Sequence, residues 1–380
     1  MPALQEIWSD FLKSPDICDV IEALANRARP VRRNELAAHF RDLHMFAIMT
    51  LHEYYERNNP DGPKQPLPET AKAKMQSVLA QKAQSIRMME QLEETSSNKG
   101  YATELFYTKR RVRTDQLNFI NLYNQTLDPN FKNKVFVFVD FPETYVDQIE
   151  RLVYPQWYTA CFMDNCDNSP IWGNYGTNHT GVCLRFKVEN GNDKPFLRLN
   201  QICGINGDGD IYGEVDREFH KIDYKRSLVS IDFFRSLSRI HVSMLRRYWY
   251  RDDEGHESPC GEDIFKSPEA WRARHWENFY KSVSRKNADW EYENEYRLVI
   301  AADMLDFSSK ESRKFKYKFT SLDGIIFGIK TNIDEKRRIC KIIETKCREP
   351  KRDDFRFYQA YYDPRTDTIA HTELDWLKFG

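Results

Sequence analysis

The sequence predicts an α+β protein, with a helical module over residues 1–100 and an α+β domain over residues 101–380 that carries a mixed, mainly antiparallel β structure with interspersed helices. Three observations lead there. In the first hundred residues apolar side chains recur at steps of three and four. Beyond them come short runs rich in β-branched and aromatic residues. Those runs alternate with helical stretches, but without the regular strand–helix–strand beat of a doubly wound sheet.

Taken in order, "NELAAHFRDLHMFAIMTLHEYY" places Leu36, Phe40, Leu43, Ala47, Leu51 and Tyr54 on one stripe, with Asn34 as the expected N-cap. "NNPDGPKQPLPET" reads as a loop because prolines and a glycine interrupt the pattern. A second helix is expected from about Thr70, with Met75, Leu79, Ala83, Ile86 and Met89 facing the core, ending at "TSSNKG". Strands are expected at "KVFVFVD" (134–140), "QWYTACF" (156–162), "TGVCLRFKV" (180–188), "YRLVIAA" (296–302) and "SLDGIIFGIK" (321–330). The last leads into the amphipathic helix "DEKRRICKIIETK", and further helices are expected near 142–152, 232–250 and 266–285.

The chain has 380 residues, 41% hydrophobic and 14% aromatic, enough for a sizeable core and unlike a disordered chain. Lys plus Arg number 57 and Asp plus Glu 58, so no global electrostatic argument favours nucleic acid or membrane. The basic run "TKRRVR" (108–113) is most simply a solvated face. No apolar run is long enough to span a bilayer, the N-terminus lacks a signal-peptide layout, and the eight cysteines are scattered without a CxxC. The expectation is a cytoplasmic protein with reduced thiols and no membrane partner.

Two stretches could carry chemistry. Cys161-x4-Cys166 followed by His179-x3-Cys183 superficially matches a zinc pattern. Cys161 and Cys183 lie in apolar β runs, however, where cysteine behaves as a small core hydrophobe, so no metal is expected. In "DWEYENEYRLVI", Glu291, Glu293, Glu295 and Arg297 fall at step two. As a strand this would put all four on one face, with Tyr292, Tyr296 and Leu298 on the other. Clustered carboxylates repel unless cations or ligands sit opposite them, so the pattern is either a solvated edge or a site with a poised carboxylate. "NGDGDIYGE" (206–214) lacks the full calcium-loop pattern, and "FGIKTN" lacks the glycine of a P-loop.

The blocks "CF" (161–162), "IWGNYGTNHTGVCLRF" (171–186), "WEYENEYRLVI" (290–300) and "LDGIIFGIKTNIDEKRRICKII" (322–343) occur in one order and spacing. Together they resemble a bacterial family catalogued as domain of unknown function 2971, over roughly residues 155–345. The matching positions are Trp172, Tyr175, His179, Gly181, Cys183, Trp290, Glu293, Glu295, Arg297 and Gly328. Members of that family usually begin with a Tyr-Lys strand and an Asn-Asp-Pro loop, for which this chain offers only "LFYTKR" (105–110) and "YNQTLDP" (123–129).

The Glu-x-Glu entering an apolar strand is in turn similar to the last catalytic block of the ADP-ribosyltransferase fold. That resemblance implies NAD bound as a substrate between two small sheets. It also implies Glu293 or Glu295 as the catalytic carboxylate, which would stabilise an oxocarbenium-like transition state, and Trp172 and Tyr175 as walls of a nicotinamide pocket. His179 would donate to a ribose or phosphate oxygen, and Arg297 would serve cofactor binding. The implied function is an NAD-consuming transferase or glycohydrolase, as a toxin or anti-phage defence effector, whose N-terminal helices dock a protein partner or hold the activity in check. The acceptor macromolecule stays open. The alternatives are a metal-independent nuclease using His179, Arg297 and a glutamate, and a non-catalytic module binding a nucleotide or protein.

Overall fold

The computed structural model describes residues 2–62, 66–95, 100–123, 136–191, 194–207, 209–233, 235–251, 255–301, 305–348 and 351–377. The protein is α+β and divides into two compact units. The first is Met1–Pro155 with Val229–Tyr280, and the second is Gln156–Leu228 with Lys281–Gly380. The helical unit therefore takes in residues beyond the first hundred.

The first unit is built from helices at Pro2–Lys13, Cys18–Ala25, Arg33–Met49, Leu51–Asn58, Glu69–Glu94, Tyr101–Tyr123 and Phe141–Val153, joined by shorter ones after residue 240. Most of the expected stripes form its core: Leu36, Phe40, Leu43 and Ala47 pack with Met75, Leu79, Ala83 and Ile86 around Trp8, Phe11 and Phe141, whereas Leu51 is exposed and Tyr54 and Met89 stay outside that cluster. Trp8 Nε1 donates to His44 Nδ1 at 3.1 Å. That bond fixes the tautomer, leaving Nε2–H of His44 to donate to the Val137 carbonyl.

Three expectations in this unit need correction. Asn34 is not the N-cap. The helix starts at Arg33, and the Asn34 amide bonds Thr108 Oγ1 at 3.3 Å and Arg111 Nη1 at 3.2 Å instead. The "KVFVFVD" run is not a strand where it is described. Residues Phe136–Asp140 form one wide π-helical turn leading into the helix Phe141–Val153, because Phe136 packs on Phe141 and Val137 O bonds His44. A short apolar run fits a strand or a helix start equally well until its neighbours are known. The helix expected over 232–250 is only Val242–Tyr248, since Phe233 N is tied to Val31 O in a loop.

The second unit holds two sheets. Strands β1 (Trp157–Met163), β3 (Glu189–Gly191), β4 (Lys194–Asn206), β5 (Gly209–Lys221), β6 (Glu295–Ala301) and β7 (Lys316–Tyr317) form the first sheet, in the order β1-β6-β5-β4-β3 with β7 on β4. Strands β2 (Val182–Phe186), β8 (Leu322–Phe327), β9 (Arg356–Asp363) and β10 (Thr368–Glu373) form the second, in the order β10-β9-β8-β2. Only the β8–β9 pairing is parallel. Alternation along β8 serves two cores: Ile325 and Phe327 pack under the helix Ile333–Arg348, while Ile326 faces Trp172, Ala360 and Ile369. Asn206 and Gly209 pair at the end of the β4–β5 hairpin, with Gly209 at φ 122°. "LFYTKR" is helical, and "YNQTLDP" lies beyond Tyr123, outside the described residues.

At the end of β8, Gly328 N bonds Gly181 O at 3.0 Å and Lys330 N bonds His179 O at 2.9 Å. A Cβ at Gly328 would lie 2.8 Å from Gly181 O, with the His179 carbonyl nearer still. Gly328→Ala is expected to destabilise the fold by about 1–3 kcal/mol in urea denaturation. Gly173→Ala, in a short helix with open space around it, should be neutral or mildly stabilising.

Candidate functional site

A buried ionic cluster forms where β6 begins. The chain leaves the helix Pro268–Val283, passes Lys286, makes a 3₁₀ turn over Ala288–Glu293, and enters the strand through Asn294 at φ 43°. Asparagine tolerates this left-handed conformation better than most residues. Its amide is anchored to both carboxylate oxygens of Asp164, each at 2.7 Å. The left-handed residue is why the expected single strand face does not form. Glu291 and Tyr292 are exposed in the turn, while Glu293 and Glu295 are each only 1% exposed.

Lys286 Nζ bridges the two carboxylates, donating to Glu295 Oε2 at 2.9 Å and to Glu293 Oε2. Arg297 Nε donates to Glu295 Oε1 at 2.7 Å and its Nη1 to Val283 O at 2.6 Å. The Tyr175 hydroxyl donates to Glu293 Oε1 at 2.9 Å, and the Glu295 N–H donates to the Tyr224 hydroxyl at 2.8 Å. The Lys286 ammonium also lies 4.8 Å from the Trp290 ring centroid. Two carboxylates thus face two cations.

Burial by itself would raise the Glu295 carboxyl. Hydrogen bonds from Arg297, Cys161 and Lys286 outweigh it and hold the group at about 2. Burial likewise works to lower Lys286, but its bonds to Glu293 and Glu295 push it well above the ordinary lysine range. Glu295 is therefore a fixed negative charge at neutral pH, suited to stabilising a developing cation and not to shuttling a proton. The Tyr175 phenol is raised by burial and by its bond to Glu293, so it remains a donor.

Of the residues singled out in the sequence, Tyr175, Glu293, Glu295 and Arg297 come together in this network, whereas Trp172 and His179 take no part in it. Trp172 sits in the core at 4% exposure, its Nε1 donating to Cys166 O at 2.7 Å. His179 follows Thr177 and Asn178 in a run of three left-handed residues, with φ of 49°, 53° and 68°. This tight turn is closed by His179 N to Trp172 O (3.1 Å) and Gly181 N to Gly176 O (2.7 Å). The His179 Nδ1 is buried with no hydrogen-bond partner among the described residues. Lys286 and Tyr224 were not singled out in the sequence. No spacing signal marks them, because the turn at Asn294 creates their contacts.

The zinc-like spacing does not converge. Cys161 bonds Glu295, Cys166 Sγ is 3.5 Å from His371 Nδ1, and burial pushes the Cys183 thiol up to about 11. Among the described residues no group of three His, Cys, Asp or Glu is placed to hold a metal ion.

A cleft of about 690 Å³ lies between the two sheets. Phe162, Phe219 and Tyr296 line it from the first sheet, and Arg185, Phe186 and His371 from the second, with Asp164–Asp167 at one end. Tyr296 points into it, so by strand alternation Glu295 and Arg297 face the other side of β6. Asn294, between the two glutamates in sequence, bonds Asp164 of the cleft lining. Arg185 is paired with Asp323 at 3.0 Å, and its guanidinium carbon lies 5.3 Å from the Tyr358 ring centroid.

Residues 171–298 match the model of a family described as a protein of unknown function, DUF2971. This supports the resemblance over those residues, which include Trp172, Tyr175, His179, Glu293, Glu295 and Arg297 but neither Cys161 nor Gly328. No curated protein and no solved structure matches the chain. Among the described residues no helix is long and apolar enough to cross a membrane.

Removing Lys286 leaves buried Glu293 without a cation and Glu295 with Arg297 alone, so Lys286→Met is expected to cost about 3 kcal/mol at neutral pH. In the wild type the Glu295 contribution is present above about pH 4.5 and fades as pH falls toward 2. In the variant Glu295 loses one of the bonds that hold it low, so the deficit should narrow on acidification. Urea melts of both proteins at pH 7 and pH 5 check this; a deficit independent of pH would contradict it.

Proposed function

We propose that the second unit binds a nucleotide in the cleft between its two sheets, and that NAD is the ligand. The observation that carries this reading is the cleft itself, about 690 Å³ with aromatic walls and a guanidinium, within the size range of small-ligand sites. Phe162, Phe219 and Tyr296 offer flat apolar surface for a base or nicotinamide ring, and Arg185 can add a phosphate oxygen to its bond with Asp323. A dinucleotide lying between two small sheets is also what the resemblance to the ADP-ribosyltransferase fold implies.

Cleavage of NAD at the nicotinamide–ribose bond is the second reading; it places the ribose on the Tyr175 side of β6, opposite the cleft, and the Tyr175 contact favours it. Tyr175 is 58% exposed, yet it covers the buried Glu293. Rotation of that one side chain would open a carboxylate, beside the ionised Glu295, to a ribose hydroxyl or an oxocarbenium carbon. In this reading Glu293 meets the substrate, Glu295 supplies fixed charge, and Lys286 and Arg297 position both.

The purified protein should melt at higher temperature with NAD. The stabilisation should be about 2.7 kcal/mol when NAD is at a hundred times its dissociation constant. Arg185→Ala should reduce that stabilisation without unfolding the protein. Nicotinamide release that is lost in Glu293→Gln and in Glu295→Gln would add the catalytic reading. Stabilisation without release would leave a binding module, and absence of any shift with NAD or ADP-ribose would overturn the proposal.

A further inference from the structure

The helix Tyr101–Tyr123 in the first unit is amphipathic in the opposite sense to a normal surface helix. Its inward side is largely polar. Thr103 N donates to Glu93 Oε1 at 2.8 Å, Asn34 Nδ2 to Thr108 Oγ1 at 3.3 Å, Arg41 Nη1 to Thr114 Oγ1 at 3.2 Å, and Arg110 Nη1 to Asp42 Oδ2 at 3.1 Å. The outward side carries Leu105, Val112, Phe119 and Tyr123, at steps of seven, seven and four, with Ile120 beside them; all five are exposed. Seven-residue steps keep these side chains on one stripe that can receive a second helix, along a helix about 34 Å long.

Charge on this face selects the occupant. Lys109 and Arg113 are exposed beside the seam and have no partner among the described residues. The nearby acids are already engaged, Glu104 with Arg32 at 3.7 Å and Asp115 with Arg111 at 3.9 Å. The outward face is thus apolar with a net positive edge. Pairing it with its own copy would bring cation-bearing seams together, which disfavours a homodimer. We propose that this face docks an amphipathic helix of another protein, one whose apolar stripe is flanked by Asp and Glu.

Two designed, fluorescently labelled amphipathic helical peptides test it, identical in their leucine stripe but flanked by Glu in one and by Lys in the other. Binding to the full chain would be read by anisotropy. The Glu peptide should bind, more tightly at low salt, and the Lys peptide should not. Lys109→Glu with Arg113→Glu should weaken the Glu peptide about five- to tenfold and reverse the preference. Val112→Ala with Phe119→Ala should weaken it about tenfold or more. Thermal melts should show both variants folded, since the four side chains are exposed. Three results would overturn the proposal: no charge preference between the peptides, self-association in sedimentation velocity that the Val112/Phe119 variant abolishes, or binding to phosphatidylserine vesicles in preference to the Glu peptide.

Discussion

Two carboxylates two residues apart cannot be buried together unless cations go with them, and the start of β6 is organised by that constraint. Moving a carboxylate out of water without a partner costs far more than a domain can spare. Glu293 and Glu295 are both inaccessible, so Lys286 and Arg297 must be in place for the strand to begin where it does. The cations in turn fix their own surroundings. Arg297 reaches back to Val283 O at the end of a helix, Lys286 lies against Trp290, and Tyr175 closes the last open oxygen of Glu293. One ionic cluster thereby ties the end of a helix, a 3₁₀ turn, a strand and the loop before β2.

The same arrangement limits what chemistry is available. A carboxylate held near 2 by a guanidinium, a thiol and an ammonium does not pick up protons at neutral pH. It can offer only its charge, which is what a developing oxocarbenium ion responds to and what general acid–base catalysis does not use. The cleft on the far side of β6 offers the complementary resource, aromatic surface and a guanidinium. Asn294, in a left-handed conformation between the two glutamates in sequence, is bonded to Asp164, which lines the cleft.

Much of the fold was legible in the sequence. Most of the stripes in residues 34–54 and 70–89 became helix faces in the core, because a period of three to four leaves an apolar run few other places to go; the helix break at Thr50 left Leu51 exposed, and Tyr54 and Met89 lie outside the core cluster. The strands at β1, β2, β6 and β8 were legible for the matching reason. The long β4–β5 hairpin was not, since its alternation is diluted by charged residues facing solvent on both strands. "KVFVFVD" misled because alternation over a few residues does not reveal whether a partner strand exists.

Of the candidate site, composition and spacing determined the residue types: the paired glutamates, Arg297 and the aromatic residues around them. Only the tertiary structure decided their roles. A single left-handed residue at 294 turned a supposed open row of carboxylates into a closed cluster, and core packing took Trp172 out of reach of any ligand. Neither outcome has a local sequence signal. The backbone angle at Asn294 depends on its bond to an aspartate 130 residues away, and the burial of Trp172 depends on strands not yet written when the chain reaches it.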